Sequence, residues 1–136
     1  MGQTINQLDG FELFTQGFAF RDIIGQDRWT AFTPVFTSLT VVGATTYFGR
    51  WRPLGRETEF QVKLSAATSI ASVAGTTYMD LPVIPAKGLA GTGDMQNITT
   101  KVSAGNCVVD IDNSRIYLPT QPASNNVFVI TGKYES

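Results

Sequence analysis

From Glu59 to Ala66 the chain alternates without a break. Phe60, Val62, Leu64 and Ala66 fall on one side, and Glu59, Gln61, Lys63 and Ser65 on the other. Successive side chains of a strand point to opposite faces, so this stretch predicts a strand with one buried and one wet side. Tyr47, Phe48 and Trp51 precede it and suit a half-buried pleated surface. Between the two runs, Pro53-Leu54-Gly55 combines a proline that fixes φ with a glycine that accepts positive φ. The spacing predicts a turn there, and hence a hairpin over residues 45–67.

The same texture continues on both sides. WTAFTPVFT (29–37) is aromatic and threonine-rich, with Pro34 assigning it to an edge strand or a bulge. LTVVGATTYF (39–48) is rich in β-branched residues and broken at Gly43. After the hairpin comes a small-residue stretch, ATSIASVAG (67–75), then a short strand, TTYMDL, closed by Pro82. VIPAKGLAGTGD (83–94) is dense in Pro and Gly and predicts a long loop. A strand over Met95–Ala104, a Gly105-Asn106 turn into CVVDI, and an Asp112-Asn113-Ser114 turn into RIYLP predict a three-stranded meander over 95–118. A loop over 119–126 leads to a closing strand, NVFVITGKYE. About eight short strands, turns every 8–12 residues and no helix of three turns predict an all-β, antiparallel β-sandwich of jelly-roll-like type.

Residues 1–28 have a different character. Phe11, Phe14, Phe18, Phe20, Ile23 and Ile24 crowd a segment that Gly10, Gly17 and Gly25 keep from forming a long helix. It is too apolar to stay free in water and too short to build a core of its own. The division is therefore an apolar N-terminal arm (1–28) and a sandwich domain (29–136). Two placements suit the arm: along its own sandwich, or docked on a neighbouring subunit or a larger lattice.

At 136 residues, 43% of them hydrophobic, the chain can bury one core without disulfides, and its lone Cys107 can form none internally. Only 15% of residues are charged, which suits a surface packed against other protein. A net charge of −1 carries no overall footprint for nucleic acid or an anionic membrane. No apolar run is long enough to cross a bilayer as a helix. MGQTINQLDG lacks the basic start and apolar core of a signal peptide, so synthesis in a cytoplasm is expected.

Histidine is absent, which removes Ser-His-Asp and Cys-His machinery and most zinc chemistry. Cys107 alternates with Val109 and Ile111, which predicts a buried, inert thiol. Asp110 and Asp112, two apart, predict a solvated strand face, with a catalytic pair or calcium site as the alternative, and Asp80 and Asp94 stand elsewhere. Glycines 88–93 match no phosphate-binding pattern. Arg50, Arg52 and Arg56 among aromatic residues resemble a single-strand binding mix, but ten basic against eleven acidic residues favour salt bridges and stacking on tryptophan. No enzymatic activity, cofactor or metal is expected.

Trp29, Thr30, Phe32, Thr33 and Pro34 make a W-T-x-[FW]-T-P opening. Tyr47, a Gly55-Arg56 turn, the alternating Phe60, Val62 and Leu64, and a terminal Leu81-Pro82 follow it. This order resembles β-sandwich structural proteins of tailed-bacteriophage virions, over somewhat under half the chain. The resemblance implies a capsid decoration (cement) protein on the exterior of a phage head, made in the host cytoplasm. Its partners would be the major capsid protein and sister subunits in a homodimer or homotrimer, without nucleic acid or membrane. The arm residues Phe11, Phe14, Phe18, Phe20, Ile23 and Ile24 would be its partner-binding side chains. The alternative it implies is a receptor- or glycan-binding head of a phage fibre, with loops 83–94 and 119–126 contacting saccharide.

Overall fold

A computed structural model describes residues 28–86 and 91–136. The six arm residues, Phe11, Phe14, Phe18, Phe20, Ile23 and Ile24, lie outside the described residues. Within those described, the fold is all-β and antiparallel, without a helix. The predicted hairpin is β4 (Thr46–Leu54) and β5 (Glu57–Ser65), registered from Thr46↔Ser65 to Leu54↔Glu57. Its turn is Gly55-Arg56 rather than Pro53-Leu54-Gly55. Gly55 has φ +62°, and glycine first in a two-residue loop matches the twist of the strands it joins.

Among the described residues twelve strands form where about eight were expected. The Pro34 stretch splits into β1 (Thr30–Phe32) and β2 (Phe36–Thr37), which end up on opposite edges of a nine-stranded sheet. Edge placement is what a proline without an N–H requires. β3 (Thr40–Val42) stops before Gly43, at φ +86°, and β6 (Ser69–Ser72) arises from the small-residue stretch. β7 (Tyr78–Asp80) fulfils the short strand before Pro82.

The region after residue 90 departs most from expectation. Gly91–Asp94 are not loop; they open β8 (Gly91–Asn97). Glycine reads as a breaker, yet here it marks close approach. A Cβ on Gly91 would meet Val109 Cγ1 at 2.6 Å, and one on Gly93 would meet Ile116 Cδ1 at 2.6 Å. The expected strand over 95–104 is cut by a turn at Ile98–Lys101, where Asn97 accepts from the backbone N–H groups of Thr100 (3.0 Å) and Lys101 (2.8 Å). Gly105-Asn106 is no turn but the inside of β9 (Val102–Asp110). Met95 pairs with Gly105 and Gln96 with Ser103, so Ala104 is an extra, bulged residue. The meander survives with shifted bounds and ends in β10 (Arg115–Tyr117). The 119–126 loop likewise contains β11 (Gln121–Ser124), before β12 (Val127–Glu135) closes the chain.

The long sheet runs β1-β4-β5-β12-β8-β9-β10-β7-β2, and β11-β6-β3 forms a second, three-stranded sheet. Strand β9 is the corner. Its first part, Val102–Cys107, pairs with β8 and carries the bulge at Ala104, which bends the strand, and its last three residues pair with β10. Inside the curl lie Phe60, Val62, Leu64, Met79, Met95, Ile116, Phe128, Ile130 and Tyr134, each at 0–1% exposure. Ile70 of β6 closes the core from the small sheet, and the Ser72 hydroxyl ties that sheet down by donating to the Pro119 carbonyl at 2.6 Å. Thr77, buried and polar, is satisfied twice: it accepts from Val73 N–H and donates to the Ser38 carbonyl, both at 2.9 Å.

Candidate interaction surface on the outer sheet face

The residues that alternate away from the core build one broad outer face over β4, β5, β12, β8 and β9. Register places Arg50, Gln61, Thr131, Asp94 and Asn106 in one row across five strands. A neighbouring row runs Arg52, Glu59, Lys133, Thr92. Directly opposed side chains on one sheet face lie close enough to interact.

The two halves of this face differ. On β4 and β5 the groups are committed to each other. Arg50 donates to Gln61 Oε1 through Nε (2.9 Å) and Nη2 (2.6 Å), and Arg52 Nε pairs with Glu59 Oε1 at 2.8 Å. Both guanidinium groups stack on the Trp29 ring, each 4.4 Å from its centroid. The stacking expected for these arginines therefore occurs within the chain, on Trp29 and not on Trp51, which packs against the core. Arg56 sits in the hairpin turn, where its carbonyl accepts from Ser136 N–H at 2.9 Å.

On β12, β8 and β9 the side chains of Thr92, Asp94, Asn106, Thr131 and Lys133 hydrogen-bond to no other described residue. Together with Glu59 they rim an open trough of about 490 Å³, floored by the backbone of Gly91, Gly93, Gly132 and Cys107. The floor residues point inward. Gly132 and Gly93 are directly paired, between Phe60 on one side and Cys107 on the other. With no side chains of their own, the two glycines let the Phe60 ring and Ile116 approach the backbone closely.

Elsewhere the candidate chemistry resolves into structure. Asp110 closes the β9–β10 turn: it accepts from Asn113 N–H at 3.3 Å and from Asn113 Nδ2 at 2.9 Å. Asp112 lies in that turn, so the two acids do not share a strand face. Among the described residues no group of three or more acids and cysteines is placed to hold a metal ion. Cys107 faces the core beside Val109 and Ile111, and burial, aided by the negative charge of Asp94, pushes its thiol up to about 12. That thiol is protonated, and hence a poor nucleophile, at neutral pH.

Stretches 83–94 and 119–126 carry no aromatic residue. Tyr78 and Tyr117, both half-buried, lie on neighbouring strands with ring centroids 5.4 Å apart. Arg115 lies 4.1 Å over Tyr78, and its Nη1 donates to the Tyr117 hydroxyl at 3.4 Å, which raises the arginine's pKa further. The trough was hidden in the sequence because its glycines look like loop residues. Its signal is the two-residue alternation of Gly91, Gly93 and Met95 against Thr92, Asp94 and Gln96. Comparison with protein-family models, with curated proteins and with solved structures returned no match.

Proposed function

We propose that this chain is a non-enzymatic structural protein that holds other subunits together, in the form of a decoration protein on a virus capsid. The observation that carries the reading is the state of the core. The described strands bring Phe60, Leu64, Ile116, Phe128 and Ile130 to 0–1% exposure, all drawn from residue 60 onward. A core completed in this way among the described residues supports a rigid body, to which we assign the arm, with its six apolar side chains, as the part that binds a partner. Burying one phenylalanine contributes about 1.5–3 kcal/mol, so two or three docked rings would hold a capsid junction, and many copies would multiply the effect. Low surface charge supports the same reading.

The test is deletion of residues 2–24. The truncated protein is expected to keep its β-rich circular dichroism and cooperative melting, and to lose retention on capsids. Normal decoration by the truncated chain would remove the arm from the mechanism.

A further inference from the structure

We infer that the trough over β12, β8 and β9 is a binding site for a neutral saccharide. The inference stands on the geometry of this face and goes beyond the decoration role. Its first support is the contrast within one surface: Arg50–Gln61 and Arg52–Glu59 are mutually satisfied, whereas Thr92, Asp94, Asn106, Thr131 and Lys133 have no partner among the described residues. These five side chains offer hydroxyl, amide, carboxylate and ammonium groups around one concavity of about 490 Å³, a volume within the usual range of roughly 300–1,000 Å³ for ligand sites.

The lining selects the ligand class. A peptide strand would need free backbone groups, but the trough lies over the middle of the sheet. There β12 is paired on both sides, with β5 and with β8, so strand addition is closed off. A polyanion such as nucleic acid would meet Asp94 and Glu59 against the single ammonium of Lys133. What remains is recognition by side-chain hydrogen bonds of mixed polarity. Thr131, Asp94 and Asn106 stand in one row on adjacent strands, about 4.8 Å apart. A chain of pyranose rings presents hydroxyl groups at a comparable repeat, as donors and acceptors together. Across the row, Glu59 is held in place by Arg52, and Arg52 by Trp29, so one wall is pre-organised.

The experiment applies the purified full chain to an array of neutral and charged bacterial and eukaryotic glycans, beside the double variant D94A/N106A and the remote variant V41S. Retention of at least one neutral glycan is expected, unaffected by added salt. The double variant should reduce it about tenfold or more, as loss of two hydrogen-bonding side chains predicts, while V41S should not. Both variants should melt near the parent temperature, since Asp94, Asn106 and Val41 are exposed. Absence of glycan binding, binding that disappears in salt, or binding indifferent to D94A/N106A would each overturn the site. Capsid retention is not read in this assay, so its outcome is independent of the decoration role.

Discussion

A methyl group added at Gly132 would sit 2.5 Å from the Thr92 carbonyl oxygen and 2.8 Å from Phe60 Cζ. The carbonyl belongs to a paired strand and cannot swing aside, so Gly132→Ala is expected to destabilise the fold by about 1–3 kcal/mol through overpacking. Gly55 presents the opposite case. Nothing lies within 4 Å of its hypothetical Cβ, but its φ of +62° penalises any L side chain, so Gly55→Ala is expected to cost about 1 kcal/mol. Asparagine separates the two causes, because it tolerates positive φ but occupies more space. In urea titrations, Gly55→Asn should recover most of the loss, and Gly132→Asn should be worse than alanine. Equal behaviour of asparagine at both sites would contradict this division.

Among the elements, β5 and β12 form the spine. They pair along their whole length, from Val127↔Ser65 to Glu135↔Glu57, and each has a second long neighbour. At the far edge, β2 holds only Phe36↔Met79 and Thr37↔Tyr78, and β11 pairs with β6 across a register shift. Opening free energies follow such differences in local support. Amide exchange is therefore expected to be slowest in β5 and β12 and faster by orders of magnitude in β2 and β11. Uniform protection across all twelve strands would mean that the two sheets open as a single unit.

The same contrast explains what could be read from the chain beforehand. The strand over Glu59–Ala66 was legible because unbroken alternation and burial agree, and the closing strand over 126–135 because it opens on a β-branched and aromatic run, Val127–Ile130, after a turn-rich stretch. Gly43 and Pro34 punctuated as expected, because positive φ and a missing N–H are local properties. Gly91 and Gly93 were misleading, since their reasons are tertiary: Val109 and Ile116 occupy the space where a side chain would lie. Gly105 does take a positive φ, +128°, but at the bulge inside β9 and against Pro119 rather than in a hairpin turn. The trough inherits that difficulty, because its floor is made of two of those glycines with Gly132.

Across the whole molecule, two buried acids set how the fold responds to alkali. Cys107 in β9 is pushed from 9.0 to about 12, by burial first and then by the charge of Asp94. Tyr134 in β12 is pushed from 10.0 to about 12 by burial, against the opposing effect of its hydrogen bonds. Its hydroxyl donates to the Val83 carbonyl at 2.7 Å and accepts from Val83 N–H at 3.0 Å, pinning the segment after β7 onto β12. Both groups gain charge on losing a proton, and the folded state resists that loss more than the unfolded chain does. Their contribution is therefore complete below the unfolded pKa values and falls as pH rises from about 9 towards 12, by up to a few kcal/mol. With no histidine in the chain, little should change between about pH 6 and 8. Thermal melts should show a plateau over that range and then a decline that begins near pH 9. Cys107→Ala should delay the onset of the decline towards pH 10. Tyr134→Phe should be less stable at neutral pH, with both Val83 groups left unpaired, and should shed less further stability above pH 10. A decline with the same onset in Cys107→Ala as in the parent would mean that the thiol is not the group that titrates first.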